Sequence, residues 1–298
     1  MMDHKAFMQS LSPADKVGLT KKSNRKGLVH LAIYTALTIG CAIWVWQLAP
    51  FWPLAFVALA ILLAFTFTLQ HECTHDTPFQ TRWVNSTVGF LTGVILFQPF
   101  LWFRYFHLAH HRHTNDPGHD PELDGDGKPE SWRDLIWHLS TVPYWGAKAS
   151  VLWQNSFSQE FAGYIPASAR PKIQREARFM LMIYIVAAVA LWFEPRVILI
   201  WLLPLAAGFP FLRLYLLAEH GRCAFIANMF ENTRTTFTNR LIRFIAWNMP
   251  YHTEHHVFPN VPFHSLPALH RLMARHLQVT SSGYTEFARA YIKDFKSK

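Results

Sequence analysis

Charged residues are scarce in this sequence. Asp, Glu, Lys and Arg make up only 16% of its 298 residues, whereas a soluble domain carries about a quarter. Hydrophobic residues account for 51% of the chain and include 25 Phe and 12 Trp. This balance excludes an ordinary soluble domain and indicates a protein that lies in a membrane.

Cysteine is also rare, with three residues at Cys41, Cys73 and Cys223 and no Cys-x-x-Cys pair. The sequence therefore lacks a disulfide framework and the cysteine set of an iron–sulfur cluster. A Gly-rich dinucleotide fingerprint is absent as well. Cys73 lies between two histidines on a predicted helix, so its side chain is expected to point away from the face that those histidines share.

The net charge of +9 does not come from one basic patch. Lys and Arg lie between the apolar stretches and at the termini, which argues against nucleic-acid binding and fits positively charged flanks of a membrane protein. The first 27 residues are polar and basic and lack the apolar core of a cleavable signal peptide. We expect residues 1–27 to form a basic cytosolic segment.

Five apolar stretches follow, and they predict two helical hairpins and one irregular segment. Prolines separate the first two stretches, and Glu194-Pro195-Arg196 separates the last two, so each pair is expected to cross the membrane and return. The middle stretch contains Asn85, Gln98 and Pro99, which suit a re-entrant or interfacial segment better than a lipid-facing span. The stretches cover residues 28–50, 51–70, 84–103, 178–193 and 196–218.

Histidines are concentrated at the ends of these stretches. Groups of two or three histidines have members three or four residues apart, and this spacing places them on one face of a helix. Neutral imidazole is the commonest metal ligand in proteins. One tetrahedral zinc needs at most four ligands, so nine histidines predict two ions with four to five ligands each, and iron, zinc or copper in preference to magnesium or calcium. The nine are His71, His75, His107, His110, His111, His220, His252, His255 and His256.

The histidines constrain the topology. If residues 84–103 crossed the membrane, His75 and His107 would emerge on opposite sides and their clusters would share no site. We therefore predict an all-α integral membrane fold with four transmembrane helices in two hairpins, a re-entrant or interfacial segment at about 84–103 and a cytosolic histidine-rich cap. The positive-inside rule places this cap on the cytoplasmic side. One domain is expected over residues 1–298.

Four polar residues are candidates for orienting the ligand imidazoles: Glu72, Glu219, Glu254 and Asn248. The three glutamates lie next to histidines, and we expect them to accept imidazole N–H groups rather than to bind metal. Soluble di-iron bundles carry a Glu-x-x-His pair on each of two helices, whereas this sequence has only one such pair, Glu72 with His75. Residues His71 to His75 also have the HExxH form of zinc proteases, but the two further histidine clusters predict more than one ion. We expect no catalytic side chain beyond the metal ligands and these four residues.

The order and spacing of the motifs resemble the three histidine boxes of the membrane fatty acid desaturase and hydroxylase superfamily. The resemblance rests on His71-x3-His75, His107-x2-His110-His111 and Asn248-Met-Pro-Tyr-His252-x2-His255-His256, and it covers residues 30 to 275. It implies a non-haem di-iron enzyme with O2 as co-substrate, four membrane helices and a cytosolic cap. It also implies that His220 is the additional ligand found after the fourth helix.

The resemblance implies oxidation of an unactivated C–H bond in an apolar substrate, with desaturation of a fatty acyl chain or lipid as the main hypothesis. A hydroxylase or demethylating monooxygenase that acts on another lipid or small molecule is the alternative. A metal transporter or sensor is a remote third, because the histidines lie at helix ends rather than along a conduction path. If the source is bacterial, the membrane is the inner one.

No electron source is recognisable in the sequence, so a separate donor is implied, either a ferredoxin or a cytochrome b5-like protein with its reductase. Basic residues near the C-terminus are candidates for docking an acidic donor. Anchoring to the membrane surface explains them equally well. They are Arg234, Arg240, Arg243, Arg271 and Arg275.

Overall fold

The computed structural model describes residues 2–124, 127–293 and 295. Helices dominate this part of the chain. The N-terminal half contains α1 His4–Ser10, α2 Pro13–Leu19, α3 Asn24–Trp46, α4 Trp52–Thr74, α5 Arg82–Leu96, α6 Phe100–His113, α7 Trp132–Ser140 and α8 Val142–Phe157. The C-terminal half contains α9 Arg170–Phe193, α10 Val197–Ile200, α11 Leu202–His220, α12 Met229–Asn232, α13 Arg240–Ile245, α14 His252–Val257, α15 Leu266–Met273 and α16 Tyr284–Lys293.

Four segments are long and apolar enough to cross a membrane. On α3 and α9, large apolar side chains such as Ile39 and Ile185 are more than half exposed, which suits helices that face lipid. The predicted all-α membrane fold with four transmembrane helices is confirmed. The segments are Pro13–Trp46, Trp52–Thr74, Arg170–Phe193 and Val197–His220.

The segment predicted to be re-entrant consists of α5 and α6, which meet at an angle of 99°. Phe97 ends α5 in the left-handed conformation with φ of 57°, and Pro99 precedes the first residue of α6. The return leg brings His107 Nε2 to within 2.9 Å of His75 Nε2 at the end of α4. Both ends of the segment therefore lie on the same side, as predicted.

The centre of the core is the contact between α4 and α11. Leu59, Phe209 and Leu212 are fully buried there, and α4 also packs against α3 and α5. Tyr34 on α3 donates a hydrogen bond from its hydroxyl to the Leu62 carbonyl oxygen at 2.6 Å. This packing fixes the C-terminal ends of α4 and α11, where His71, His75 and His220 lie.

Gly208 allows α11 to approach α4, because a Cβ atom at this position would overlap the Ala60 carbonyl group. We expect Gly208→Ala to separate the two helices and destabilise the protein by about 1–3 kcal/mol. Gly40→Ala on α3 is the matched control, since a Cβ there meets nothing within 4 Å. Equal resistance of the two variants to thermal unfolding in detergent would contradict this packing.

The cap is built from the chain between the spans and from the C-terminal part. Trp132, Trp137 and Trp153 in α7 and α8 are all more than half exposed, which fits the predicted interfacial location. The prediction of helices alone misses one small feature. Two strands of two residues, β1 Thr235–Thr236 and β2 Thr280–Ser281, pair in parallel and join the chain after α11 to the C-terminal part.

Candidate metal centre

Five histidines from three helices form the first group, whose possible ligand atoms all lie within 4.8 Å of one another. Their Nε2 atoms form a chain of short distances. His75 and His107 are 2.9 Å apart, His107 and His111 are 2.9 Å apart, and His111 and His255 are 3.1 Å apart. The ends of α4 and of the re-entrant segment thus meet α14 at one point. The members are His71, His75, His107, His111 and His255.

The second group contains His110, His220 and His256, again with possible ligand atoms within 4.8 Å. His110 Nε2 lies 3.3 Å from His220 Nε2. His252 Nε2 lies 3.1 Å from the same His220 atom, so His252 borders this group. All nine histidines predicted from the sequence are therefore brought together, five in one group and four in or beside the other.

The spacing of the nitrogen atoms fits the ligand shell of a metal ion. Imidazole nitrogen binds a first-row metal at roughly 2.0–2.1 Å, which places neighbouring ligand nitrogens about 3 Å apart. The Nε2 separations of 2.9 to 3.3 Å agree with this value. Imidazoles that converge on one point cannot all satisfy each other as donors and acceptors, whereas an ion accepts all of their lone pairs.

The rings of the last cluster are suited to metal binding in their protonation state. Burial, together with the neighbouring imidazoles, holds the pKa values of His252, His255 and His256 well below the ordinary histidine range. These rings are therefore neutral at neutral pH and each offers a lone pair. His256 also has a buried Nε2 without a hydrogen-bond partner among the described residues, while its Nδ1 lies 3.1 Å from Thr114 Oγ1.

Asp120 orients His110, and sequence reasoning did not identify it. Its carboxylate accepts the Nδ1–H of His110 at 2.9 Å, and the backbone N–H of Asn115 donates to it at 2.7 Å. Burial alone would raise the pKa of Asp120, but the hydrogen bonds from His110 and the backbone hold it below its usual value. The loop sequence gives no spacing signal for this contact. His220 is oriented similarly, with Nδ1 3.0 Å from the Asn232 carbonyl oxygen.

Two of the predicted orienting glutamates lie beside the histidine groups. Glu72 Oε1 is 3.6 Å from His255 Nδ1, and Glu219 Oε1 is 3.4 Å from His252 Nδ1. The other oxygen of Glu72 accepts hydrogen bonds from Thr77 Oγ1 at 3.0 Å and from the Phe263 N–H at 3.1 Å. Glu72 is fully buried, so these contacts fix its position beside His255.

The other two predicted orienting residues face elsewhere. Glu254 accepts a hydrogen bond from Thr235 Oγ1 at 2.6 Å and pairs with His270. Asn248 donates its side-chain N–H to the Phe263 carbonyl oxygen at 2.9 Å. Among the described residues, both stabilise the backbone around α14 instead of contacting one of the nine histidines. Cys73 belongs to neither histidine group and packs in an apolar cluster, as its position on the helix predicted.

The five basic residues near the C-terminus differ in exposure. Arg243 is half-buried and donates a hydrogen bond to the Tyr251 hydroxyl oxygen at 2.6 Å. Arg234 is buried and donates to the carbonyl oxygens of Ala218 and Gly221, each at 2.7 Å, so it is not available to a partner. Arg240, Arg271 and Arg275 are exposed.

A cavity of about 680 Å³ opens beside both groups, which is within the size range of ligand sites. Its metal-side wall includes His71, His107, His110, His220 and His252. Aromatic and aliphatic side chains form much of the remainder, namely Phe67, Trp102, Phe103, Phe106, Val151 and Leu216. The arrangement suits an apolar chain that passes next to the histidines.

A family model of fatty acid desaturases matches residues 44–288. The chain belongs to the fatty acid desaturase family. It is therefore an integral membrane oxidoreductase of the desaturase type. It is 23% identical over 295 residues to an sn-1 oleoyl-lipid 12-desaturase of Anabaena variabilis, with 92% of this chain and 70% of the relative covered.

Two further relatives show how the similarity is distributed. A dihydrorhizobitoxine desaturase of Bradyrhizobium elkanii is 26% identical over 291 residues, covering 91% of this chain and 80% of the relative. A fatty acid conjugase of Calendula officinalis is 36% identical, but over only 69 residues, which are 23% of this chain and 18% of that protein. Similarity to the bacterial desaturase thus extends over most of this chain, whereas similarity to the plant conjugase is confined to a short segment.

Proposed function

We propose that this protein is an O2-dependent di-iron oxidoreductase that desaturates an acyl chain, with residues 1–298 acting as one domain. The observation that carries the proposal is that both histidine groups border one cavity with aromatic and aliphatic walls. A desaturase needs this arrangement because the reacting carbon must lie beside the metals while water is kept out.

The first iron would be held by the group of five histidines and the second by His110, His220, His252 and His256. Two irons bound there would activate O2, the oxidant that removal of hydrogen from an unactivated C–H bond requires, with two further electrons supplied by a separate donor. Asp120 would hold the ring of His110 in place through its Nδ1 atom. Glu72 and Glu219 lie 3.6 and 3.4 Å from Nδ1 of His255 and His252 and would orient those rings from there. A nearly all-imidazole set fits iron and disfavours magnesium or calcium.

The side chains of the cavity would position the substrate. Phe67 and Phe103 pack against each other with ring centroids 5.4 Å apart, and Phe103 lies 5.6 Å from the ring of His107. An alkyl chain that contacts these rings is held next to the first histidine group and shielded from water.

The active site is proposed to face the cytoplasm, since the basic N-terminal segment precedes the first span. A separate ferredoxin or cytochrome b5-like protein with its reductase would supply electrons. Arg240, Arg271 and Arg275 are exposed and remain candidates for its docking surface, with membrane anchoring as the other explanation.

Analysis of products under ¹⁸O2 tests the reaction type. Cells that express the chain should contain a lipid or fatty acid that has lost two hydrogens relative to cells with the empty vector, without incorporated ¹⁸O. Incorporation of one ¹⁸O atom would instead identify a hydroxylase or monooxygenase. If neither product forms, and the purified protein binds exchangeable zinc or copper without consuming O2, a transport or sensing function replaces the proposal.

A further inference from the structure

A lysine lies inside the cavity that borders the histidine groups. Lys148 is on α8, and its side chain lines the same cavity as His71 and His220. Its ammonium donates a hydrogen bond to Gln98 Oε1, and Gln98 follows Phe97 at the break between α5 and α6. A buried ammonium group of this kind is costly without a partner for its charge.

The groups in direct contact with the Lys148 ammonium are aromatic rings and an amide oxygen. Its Nζ lies 4.7 Å from the ring centroid of Tyr144 and 5.6 Å from that of Trp102. Among the described residues no carboxylate forms an ion pair with it. The acids that line the cavity are Glu122, Asp124, Glu160 and Glu219. Glu219 lies beside His252 and Glu122 beside His110, and the charge of Glu122 favours the ammonium form of Lys148 without forming an ion pair with it. Among the described residues, the ammonium thus borders the cavity without a carboxylate in ion-pair contact.

Neighbouring groups strengthen this positive character. The guanidinium of Arg213 also lies over the ring of Tyr144, 5.5 Å from its centroid. Its Nη2 atom lies 2.8 Å from His138 Nδ1. The Tyr144 hydroxyl and His138 Nε2 are buried and have no hydrogen-bond partner among the described residues. Both residues line the cavity, so two unused polar groups accompany the ammonium.

The protonation of Lys148 responds to this environment. Burial, with a further contribution from Arg213, lowers the pKa of Lys148 to about 7. A bound anion would raise this pKa again, because an opposite charge nearby favours the ammonium form.

We propose that Lys148, with the Tyr144 hydroxyl, binds an anionic group, carboxylate or phosphate, at one end of an apolar substrate chain whose middle lies beside the histidines. The statement that the middle of the chain is the part that reacts rests on the proposed function. Arg213 precedes His220 by seven residues on α11, which corresponds to roughly 10 Å along the helix axis. The anionic group and the reacting carbon would therefore be separated by several bonds.

Equilibrium binding tests the proposal without turnover. Radiolabelled palmitate and hexadecanol are titrated against the purified full-length protein in a non-ionic detergent with no electron donor present. We expect the wild type to bind palmitate roughly 10- to 100-fold more tightly than hexadecanol. The reason is that the palmitate carboxylate accepts a charge-assisted hydrogen bond from the Lys148 ammonium, whereas the alcohol forms only a weaker one. In Lys148→Met the preference should fall to nearly one, while Lys148→Arg should retain most of it.

Lys172→Met is the matched control, because Lys172 is an exposed residue on α9 and its loss changes the charge equally. A third probe, 1-palmitoyl lysophosphatidate, distinguishes a lipid phosphate from a free acid as the preferred anion, and either preference supports the proposal if Lys148→Met removes it. Equal binding of acid and alcohol by the wild type, no binding of any probe, or a preference that survives in Lys148→Met would overturn the proposal.

The same titrations separate this proposal from the proposed function. If palmitate binds in a Lys148-dependent manner but no oxidised product forms, the anion site stands and the desaturase assignment fails. If the product forms and Lys148→Met binds palmitate as the wild type does, the desaturase assignment stands and the anion site fails. Lys148→Arg shows whether the loss follows the charge, because a purely structural role for Lys148 would not alter the ratio between acid and alcohol.

Discussion

Replacing His255 with alanine is expected to abolish turnover and to remove most of the iron from the first histidine group. His255 Nε2 lies 3.1 Å from His111 Nε2, and its ring is fully buried. A water molecule would therefore not replace the imidazole as a fixed ligand in the alanine variant. Loss of partners outside the ligand shell already costs metal sites about 10- to 100-fold, so loss of a ligand should exceed this. Iron analysis and product formation measure the two effects.

His113→Ala is the matched control for this experiment. His113 lies two residues after His111 on α6, but its side chain is 36% exposed and faces Asp116. It should retain wild-type iron and activity. Full activity of His255→Ala would show that the ring is not a ligand, and equal loss in His113→Ala would show that the effect is unspecific.

Asp120→Ala is expected to weaken iron binding in the second histidine group by roughly 10- to 100-fold, because outer partners orient the ligand ring. Both oxygens of Asp120 lie near His110 Nδ1, at 2.9 and 3.1 Å. Without them the ring loses the acceptor that directs Nε2 towards His220. Titration of the metal-free protein with ferrous iron measures the change.

Two further variants test whether the loss of iron affinity in Asp120→Ala is due to its contact with His110. Asp120→Asn retains one acceptor oxygen and should lose less affinity than Asp120→Ala. Asp116→Ala removes an acid from the same loop at a position that is 52% exposed, and should leave iron binding unchanged. If Asp116→Ala and Asp120→Ala behave alike, the contact with His110 has no role in the metal site.

The histidines and the membrane topology were predictable from the sequence because both depend on local spacing. Residues three and four apart on a helix share a face, which is how His107, His110 and His111 point to the same region. The requirement that His75 meet His107 then excluded a crossing by residues 84–103, and the bend of 99° between α5 and α6 provides the return.

Contacts made through irregular loops or between distant parts of the chain were not predictable. Asp120 reaches His110 through an irregular loop, and Lys148 reaches Gln98 from a helix fifty positions away in sequence. Neighbouring position also misled the assignment of Glu254, whose carboxylate contacts Thr235 and His270 instead of a ligand ring. Sequence spacing identifies residues on one face of a helix, but it does not identify what that face meets.

The number of irons per chain tests the central claim most directly. Protein purified from iron-replete cells, analysed by mass spectrometry for metals together with its protein concentration, should contain two irons per chain, one for each histidine group. His255→Ala and His110→Ala should each lower this number, and His113→Ala should not. One iron or none in the wild type, after reconstitution with ferrous iron, or full occupancy in both ligand variants would contradict a di-iron centre held by these histidines.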